Sequence, residues 1–237
     1  MSTFYTQQLT CPDCQAPIAA WLARGIHAER RTDLRDEVLA RRFHRRTCSA
    51  CGLQLEIERP IVYTDLDLHQ WVYVAPESDR RHWRSWEARL AADIARVFSE
   101  HSPLVHGIDD QLRWRTVFGY EELREKLVIW RAGLDDAIVE CLKVRAVATE
   151  PALGTPGSRL VVERVDPGDR LELVWFAAGA TTPTRSTTLP AAWLLDADRD
   201  RSSVMLRFPE LFRGGYVNLR RLLDAGPSES ESRKISC

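Results

Sequence analysis

Two cysteine pairs, Cys11–Cys14 in "CPDC" and Cys48–Cys51 in "CSAC", constrain this chain more than any other feature. Two intervening residues let the backbone turn so that both sulfurs of a pair converge on one ion. Two such turns supply four sulfurs, the closed tetrahedral set that a structural zinc prefers and one that leaves no position for water. Cys11, Cys14, Cys48 and Cys51 are therefore expected to hold a structural Zn2+. The same thiolates could carry iron, and a thioredoxin-like redox pair would leave the other pair unexplained. Gly52 follows the second pair, where such a turn needs a residue free to take positive φ. Pro12 stiffens the first.

Tight cysteine pairs read as metal ligands most readily in a reducing compartment, where structural disulfides are rare. Met1–Leu9 is polar, without the basic-then-apolar layout of a secretion signal. No window approaches the ~18 apolar residues of a membrane span. A cytoplasmic location is expected. With 44% hydrophobic residues and a net charge of −1, the chain reads as globular, with no bulk field to draw it onto nucleic acid or an acidic membrane.

The flanks of the pairs suggest a ribbon. "FYTQQLT" before Cys11 and "PIAAWLA" after Cys14 would form one hairpin. Leu53, Leu55 and Ile57 alternate with Gln54, Glu56 and Glu58, a half-buried strand. "QWVYV" (Gln70–Val74) is expected as its partner strand, with Thr64–Asp67 as the turn between them. The long spacer between the pairs holds an expected helix, "TDLRDEVLARRFHRR". Thr32 or Asp33 would be its N-cap, and Arg41, Arg42, Arg45 and Arg46 would fill its last turn.

These residues together resemble the CpXC family of bacteria and archaea, which takes its name from the C-P-x-C pair. "LTCPDC" opens the match. "CSACGLQLEIERPIVYTDLDLHQWVYVAP" resembles the family's second knuckle and strands, and "FGYEELREKLVIWRAGLDDAIVECLK" resembles its helical segment. The resemblance covers Met1 to Ala148 and implies a zinc-ribbon domain with a helical extension. It implies no activity. Ser49 stands where the first knuckle has proline, a change that touches the turn and no ligand.

Beyond the knuckles, Trp83, Trp86, Leu90, Ile94 and Val97 recur at helical spacing over Asp79–Phe98. A further helix starts near Tyr120, with Leu123, Leu127 and Trp130 inward, Glu122–Lys126 as a surface pair and Gly133 as its stop. Asp135 or Asp136 then caps a helix carrying Ile138, Leu142 and Ala146. Adjacent aspartates diverge by about 100° on a helix, so this pair reads as capping rather than acid–base chemistry. Cys141 reads as buried packing.

"TEPALGTPGS" (149–158) is the expected linker. After it come two strands around a turn at Asp166–Asp169, a helix near Pro190, a strand at "SSVMLRF" and a last helix. The tail 227–237 is Ser/Glu-rich. The fold class is thus α+β: an N-terminal zinc-ribbon and helical domain over 1–148, a linker over 149–158, a smaller mixed domain over 159–226 and a tail.

Composition and motifs exclude little and favour little. No phosphate-binding loop, dinucleotide fingerprint, H-E-x-x-H or G-x-S-x-G occurs. His27, His44, His69, His82, His101 and His106 are scattered, none four residues from another. Residues 1–60 carry nine Lys/Arg against seven Asp/Glu, a net of +2 that is weak for a nucleic-acid binder. A protein-interaction module is the expectation, with a zinc-ribbon nucleic-acid binder and an enzyme without a recognisable motif as alternatives.

Overall fold

The structure is a computed structural model that describes residues 2–97, 112–166, 168, 170–180 and 182–224. The chain divides into two compact units, Met1–Arg124 and Glu125–Cys237. Sheets and helices interleave along it in a mixed α+β fold.

In the first unit, β1 (Thr3–Thr10) and β2 (Pro17–His27) form an antiparallel hairpin whose turn carries Cys11 and Cys14. Along β2 the apolar residues Ile18, Ala20 and Leu22 are buried and alternate with exposed neighbours, the period-two pattern of a half-covered sheet. Phe4 pairs with Ala23 and Thr3 with Gly25, so Arg24 is the extra residue of a β-bulge. β5 (Ile61–Asp65), β6 (Gln70–Ala75) and β7 (Arg113–Phe118) complete a five-stranded sheet of order β1-β2-β5-β6-β7. The β2–β5 and β6–β7 pairs are parallel, so each needs a crossover connection. α1 (Thr32–Leu39) lies in the first crossover and α2 (Trp83–Val97) in the second.

Three expectations change here. The helix expected to run to Arg46 ends at Leu39. Arg41 and His44 take φ values of 55° and 53°, which no helix tolerates, and β3 (Arg45–Thr47) then pairs with β4 (Gln54–Glu56) around the second cysteine turn. Register at the second knuckle outweighs helix propensity. The partner of "QWVYV" is likewise β5 rather than the strand leaving Gly52, and the turn lies at Leu66–His69. β7, which carries no strong alternation, was not expected at all. Trp83 and Leu90 are the buried members of α2; Phe98 lies outside the described residues.

α3 (Gly119–Arg131) spans the division between the units. Its first turn is held by Glu122, whose carboxylate accepts from the Phe118 N–H at 2.7 Å and pairs with Arg80. Glu122 and Lys126 are both buried, so the expected surface pair does not exist.

In the second unit, α3 ends at Gly133 (φ 74°) and Asp135 caps α4 (Asp136–Thr149), accepting from the Ala137 N–H at 2.8 Å. β8 (Arg159–Asp166), β9 (Arg170–Phe176) and β10 (Arg185–Leu189) form an antiparallel sheet of order β10-β9-β8. The helices α5 (Ala191–Arg199), α6 (Arg201–Arg207) and α7 (Arg220–Leu223) follow. "SSVMLRF", expected as a strand, is α6. A short apolar run does not separate strand from helix by periodicity, and Val204 and Phe208 meet at helical spacing while Leu206 is 82% exposed.

The expected linker is a packed corner. A 3-10 turn spans Pro151–Gly154 with Leu153 buried, and the Ser158 hydroxyl donates to Leu153 O and Thr155 O. Arg220 donates to Thr155 O and to Ser158 O. A Cβ on Gly154 would lie 2.6 Å from Val147 Cγ1, so glycine here serves close packing rather than freedom. The expected boundary at 149–158 thus lies inside the second unit. The tail 227–237 lies outside the described residues.

Candidate metal centre

The β1–β2 and β3–β4 turns are near copies of one another. In the first, the Cys11 N–H donates to Ala16 O at 2.9 Å and the Gln15 N–H to Cys11 O at 3.0 Å. In the second, the Cys48 N–H donates to Leu53 O at 2.8 Å and the Gly52 N–H to Cys48 O at 2.9 Å. The residue after each second cysteine takes positive φ, 63° at Gln15 and 77° at Gly52. Glycine adopts that conformation freely, whereas an L side chain is strained in it by about 1–2 kcal/mol. The sequence anticipated Gly52; Gln15 gives no such signal.

These turns bring all four expected ligands together. The Sγ atoms of Cys11, Cys14, Cys48 and Cys51 lie within 4.8 Å of one another. Two contacts cross between the hairpins, Cys11–Cys51 and Cys14–Cys48, each at 3.6 Å. A tetrahedral ion with metal–sulfur distances of about 2.3 Å requires sulfur–sulfur edges of about 3.8 Å, so the set fits one ion. Cys11 and Cys48 are buried, Cys14 and Cys51 exposed. Ile18 packs with the two buried cysteines, edged by Leu9, Ala16, Leu53 and Leu55, so one flank of the site is dry.

Backbone dipoles prepare the sulfurs for ionisation. The Cys51 and Ala50 N–H groups lower the Cys48 thiol to about 7. At Cys51 the Leu53 N–H works in the same direction, but desolvation and the neighbouring thiols outweigh it and push that thiol up to about 12. Four thiolates this close repel one another, and a cation removes the conflict. The arrangement can bind a metal ion and offers it no open position.

The remaining expectations resolve differently. Arg41, Arg42, Arg45 and Arg46 do not form a common basic face. Arg41 pairs with Glu121 at 2.9 Å, Arg45 with Glu56 at 3.2 Å, and Arg46 donates to Trp21 O at 2.6 Å. Arg42 is exposed. His44 is a buried strut. Its Nε2 accepts from the Ala23 N–H at 2.8 Å, which puts the neutral ring's proton on Nδ1, donated to the Tyr120 hydroxyl at 2.8 Å. That hydroxyl also accepts from the Arg59 N–H at 2.9 Å and donates to Arg59 O at 3.0 Å. Burial lowers the His44 imidazole to about 4. His101 and His106 lie outside the described residues.

A second gathering of titratable groups, missed by the sequence reading, lies in the second unit. Lys126 pairs with Asp136 (3.1 Å) and Glu140 (3.3 Å) and donates to Val217 O (2.6 Å). Lys143 pairs with Glu125 and with Glu140, the latter at 2.9 Å. All five residues are buried. Desolvation pushes Glu125 up to about 7. Glu140 is likewise penalised by burial, but Lys143 and Lys126 outweigh it and hold the carboxyl in its charged form. Two ammonium groups thus face three carboxyls, and burial pushes Glu125 towards its neutral form. The spacing of Glu125, Lys126, Glu140 and Lys143 on two helices was the only available signal.

A protein with two cysteine hairpins closing on one four-thiol site, set on an α+β fold, is a metal-binding module. The CpXC protein family matches residues 9–143, more than half of the chain, and the chain belongs to that family. No curated protein and no solved structure matches it significantly. Among the described residues no helix is long and apolar enough to cross a membrane.

Proposed function

We propose that the chain is a zinc-stabilised protein-interaction module. In this reading the paired hairpins are a zinc ribbon in the cytoplasm, and the metal holds the fold rather than catalysing a reaction. Closure of the site by four protein sulfurs supports a structural role. The interaction role is carried by one observation. Trp21, 50% exposed, stacks on Phe4 at 4.1 Å on the same hairpin that presents Cys11 and Cys14. An exposed tryptophan braced by a partly buried ring is the kind of surface that anchors protein interfaces.

The test is purification from the native host under non-denaturing conditions, comparing the wild-type chain with Trp21→Ala. Elemental analysis should give one zinc per chain in both, and a co-purifying protein should be lost from the variant. Absence of zinc would remove the first half of the reading; identical co-purifying proteins would remove the second.

A further inference from the structure

On the sheet of the first unit lies a cavity of about 570 Å3, within the size range of small-ligand sites. Its floor includes Val62 and Tyr73, cross-strand partners that project to one side. Tyr5 and Gln7, two apart on β1, join it on that strand's other side from Phe4. Trp86 and Arg89, three apart on α2, wall it.

Its charge is one-sided. Arg24, Arg59 and Arg89 line the cavity and no Asp or Glu does. Among the described residues, none of these three arginines forms an ion pair. The nearby carboxylate of Asp93 is already engaged by the Tyr73 hydroxyl and by Arg96 at 2.9 Å. Two of the guanidinium groups are held against rings, Arg24 over Tyr5 at 4.6 Å and Arg89 over Trp86 at 5.6 Å. Arg59 is fixed by the Gln7 amide oxygen at 3.0 Å and by Glu58 O at 2.7 Å. Arg24 is also the bulge residue of β2, and bulges re-aim side chains beside functional sites.

Three cations in one concavity repel one another until an anion enters, and guanidinium is the group best suited to phosphate. The apolar floor and the indole edge suit a flat, weakly polar body. We propose that this cavity binds a nucleoside phosphate, with the phosphate among Arg24, Arg59 and Arg89 and the base over Val62 and beside Trp86. This site uses none of the four cysteines and lies on the other side of β1 from Phe4, although Tyr5, Gln7 and Arg24 belong to the first cysteine hairpin, and it goes beyond the interaction role proposed above.

Isothermal titration of the metal-loaded full chain tests it, using thymidine monophosphate, thymidine, inorganic phosphate and a short oligothymidylate as probes. Thymidine monophosphate should bind at least about tenfold more tightly than thymidine or phosphate alone. Arg24→Ala and Arg89→Ala, both at exposed positions, should each weaken it by about tenfold or more, while Arg199→Ala leaves it unchanged. Equal affinity for the oligonucleotide identifies a free nucleotide as the ligand; much tighter oligonucleotide binding identifies a strand, and either supports the site. No heat with any probe at ~1 mM, or binding indifferent to both arginine variants, overturns the proposal.

Discussion

The metal centre and the buried ionic cluster solve the same electrostatic problem in opposite ways. Each packs groups of like charge closer than they would stand in water. The four thiols of the first unit have no cation among them, so the sulfurs need an ion from outside. The cluster of the second unit carries its own cations, Lys126 and Lys143, and burial reduces its excess negative charge by pushing Glu125 towards its neutral form. The first is conditional on a ligand and the second is complete in the chain. A site that must be filled from outside ties folding to metal supply; a self-neutralised one depends only on pH and on the integrity of each partner.

Removing the metal should produce the largest effect. Metal binding in a closed thiolate site is folding free energy, on the order of 10–16 kcal/mol in apparent terms for small zinc domains. Treatment with a strong chelator, or Cys48→Ser, should therefore abolish amide-exchange protection across β1–β4. Protection of α4 should persist, because its ion pairs need no added ion. Retained protection in β3 and β4 after chelation would end the comparison at its first term.

Breaking the self-contained cluster comes next. Lys143→Met leaves Glu140 and Glu125 facing each other with one ammonium fewer, and loss of one partner from a buried pair costs about 3–5 kcal/mol. Chemical denaturation followed at α4 should show that loss. Glu125→Gln should cost less below neutral pH, since burial already pushes this carboxyl towards its neutral form. Equal costs for the two variants would show that Glu125 is ionised.

The two regions should also respond to acid in opposite senses. His44 is lowered to about 4 in the folded chain, below its ordinary value, so between roughly pH 6.5 and 4 the unfolded chain binds more protons. The first unit therefore loses stability on acidification, by on the order of 2–3 kcal/mol from this residue. Glu125, raised to about 7, binds its proton more tightly when folded. The second unit therefore gains a similar amount, roughly 2–3 kcal/mol, as pH falls from about 7 towards 4.3. Site-resolved exchange as a function of pH should show the slopes diverging, with His44→Gln flattening one and Glu125→Gln the other. Parallel slopes would refute the assignment of both groups.

The smallest effect separates the two near-identical knuckles. Gln15→Gly relieves a left-handed backbone and adds unfolded-state entropy, so a net gain of up to about 1 kcal/mol is expected in the metal-bound protein. Gly52→Ala, at the equivalent position, should lose a similar amount, about 1 kcal/mol. Thermal melts of the two variants should shift in opposite directions; shifts of one sign would mean that the knuckles are not equivalent.

Much of the site was legible because a C-x-x-C pair is local: the turn between its cysteines brings both sulfurs to one side, whatever surrounds them. The same holds for the β1–β2 hairpin around the first pair, for an aspartate cap on α4 at Asp135 or Asp136, which is Asp135 in the structure, and for the inward positions Leu123, Leu127 and Trp130. What failed depended on distant residues. Nothing near Arg41 or His44 announces that the chain leaves the helix there. It leaves because β3 must meet β4 and because the His44 ring bonds the Ala23 backbone and Tyr120. Glu122 and Lys126 have the spacing of a surface pair, and only tertiary burial turned them inward to separate partners. The Pro/Gly run 149–158 has a linker's composition, yet Arg220 and Val147 make it a packed corner. The sequence by itself determined which four cysteines cluster, the family and the α+β class, since these rest on short-range spacing and periodicity. Only the tertiary structure decided the mixed sheet, the buried ionic cluster and the three-arginine cavity, because each is assembled from residues whose chemistry is ordinary until long-range packing removes water and brings them together.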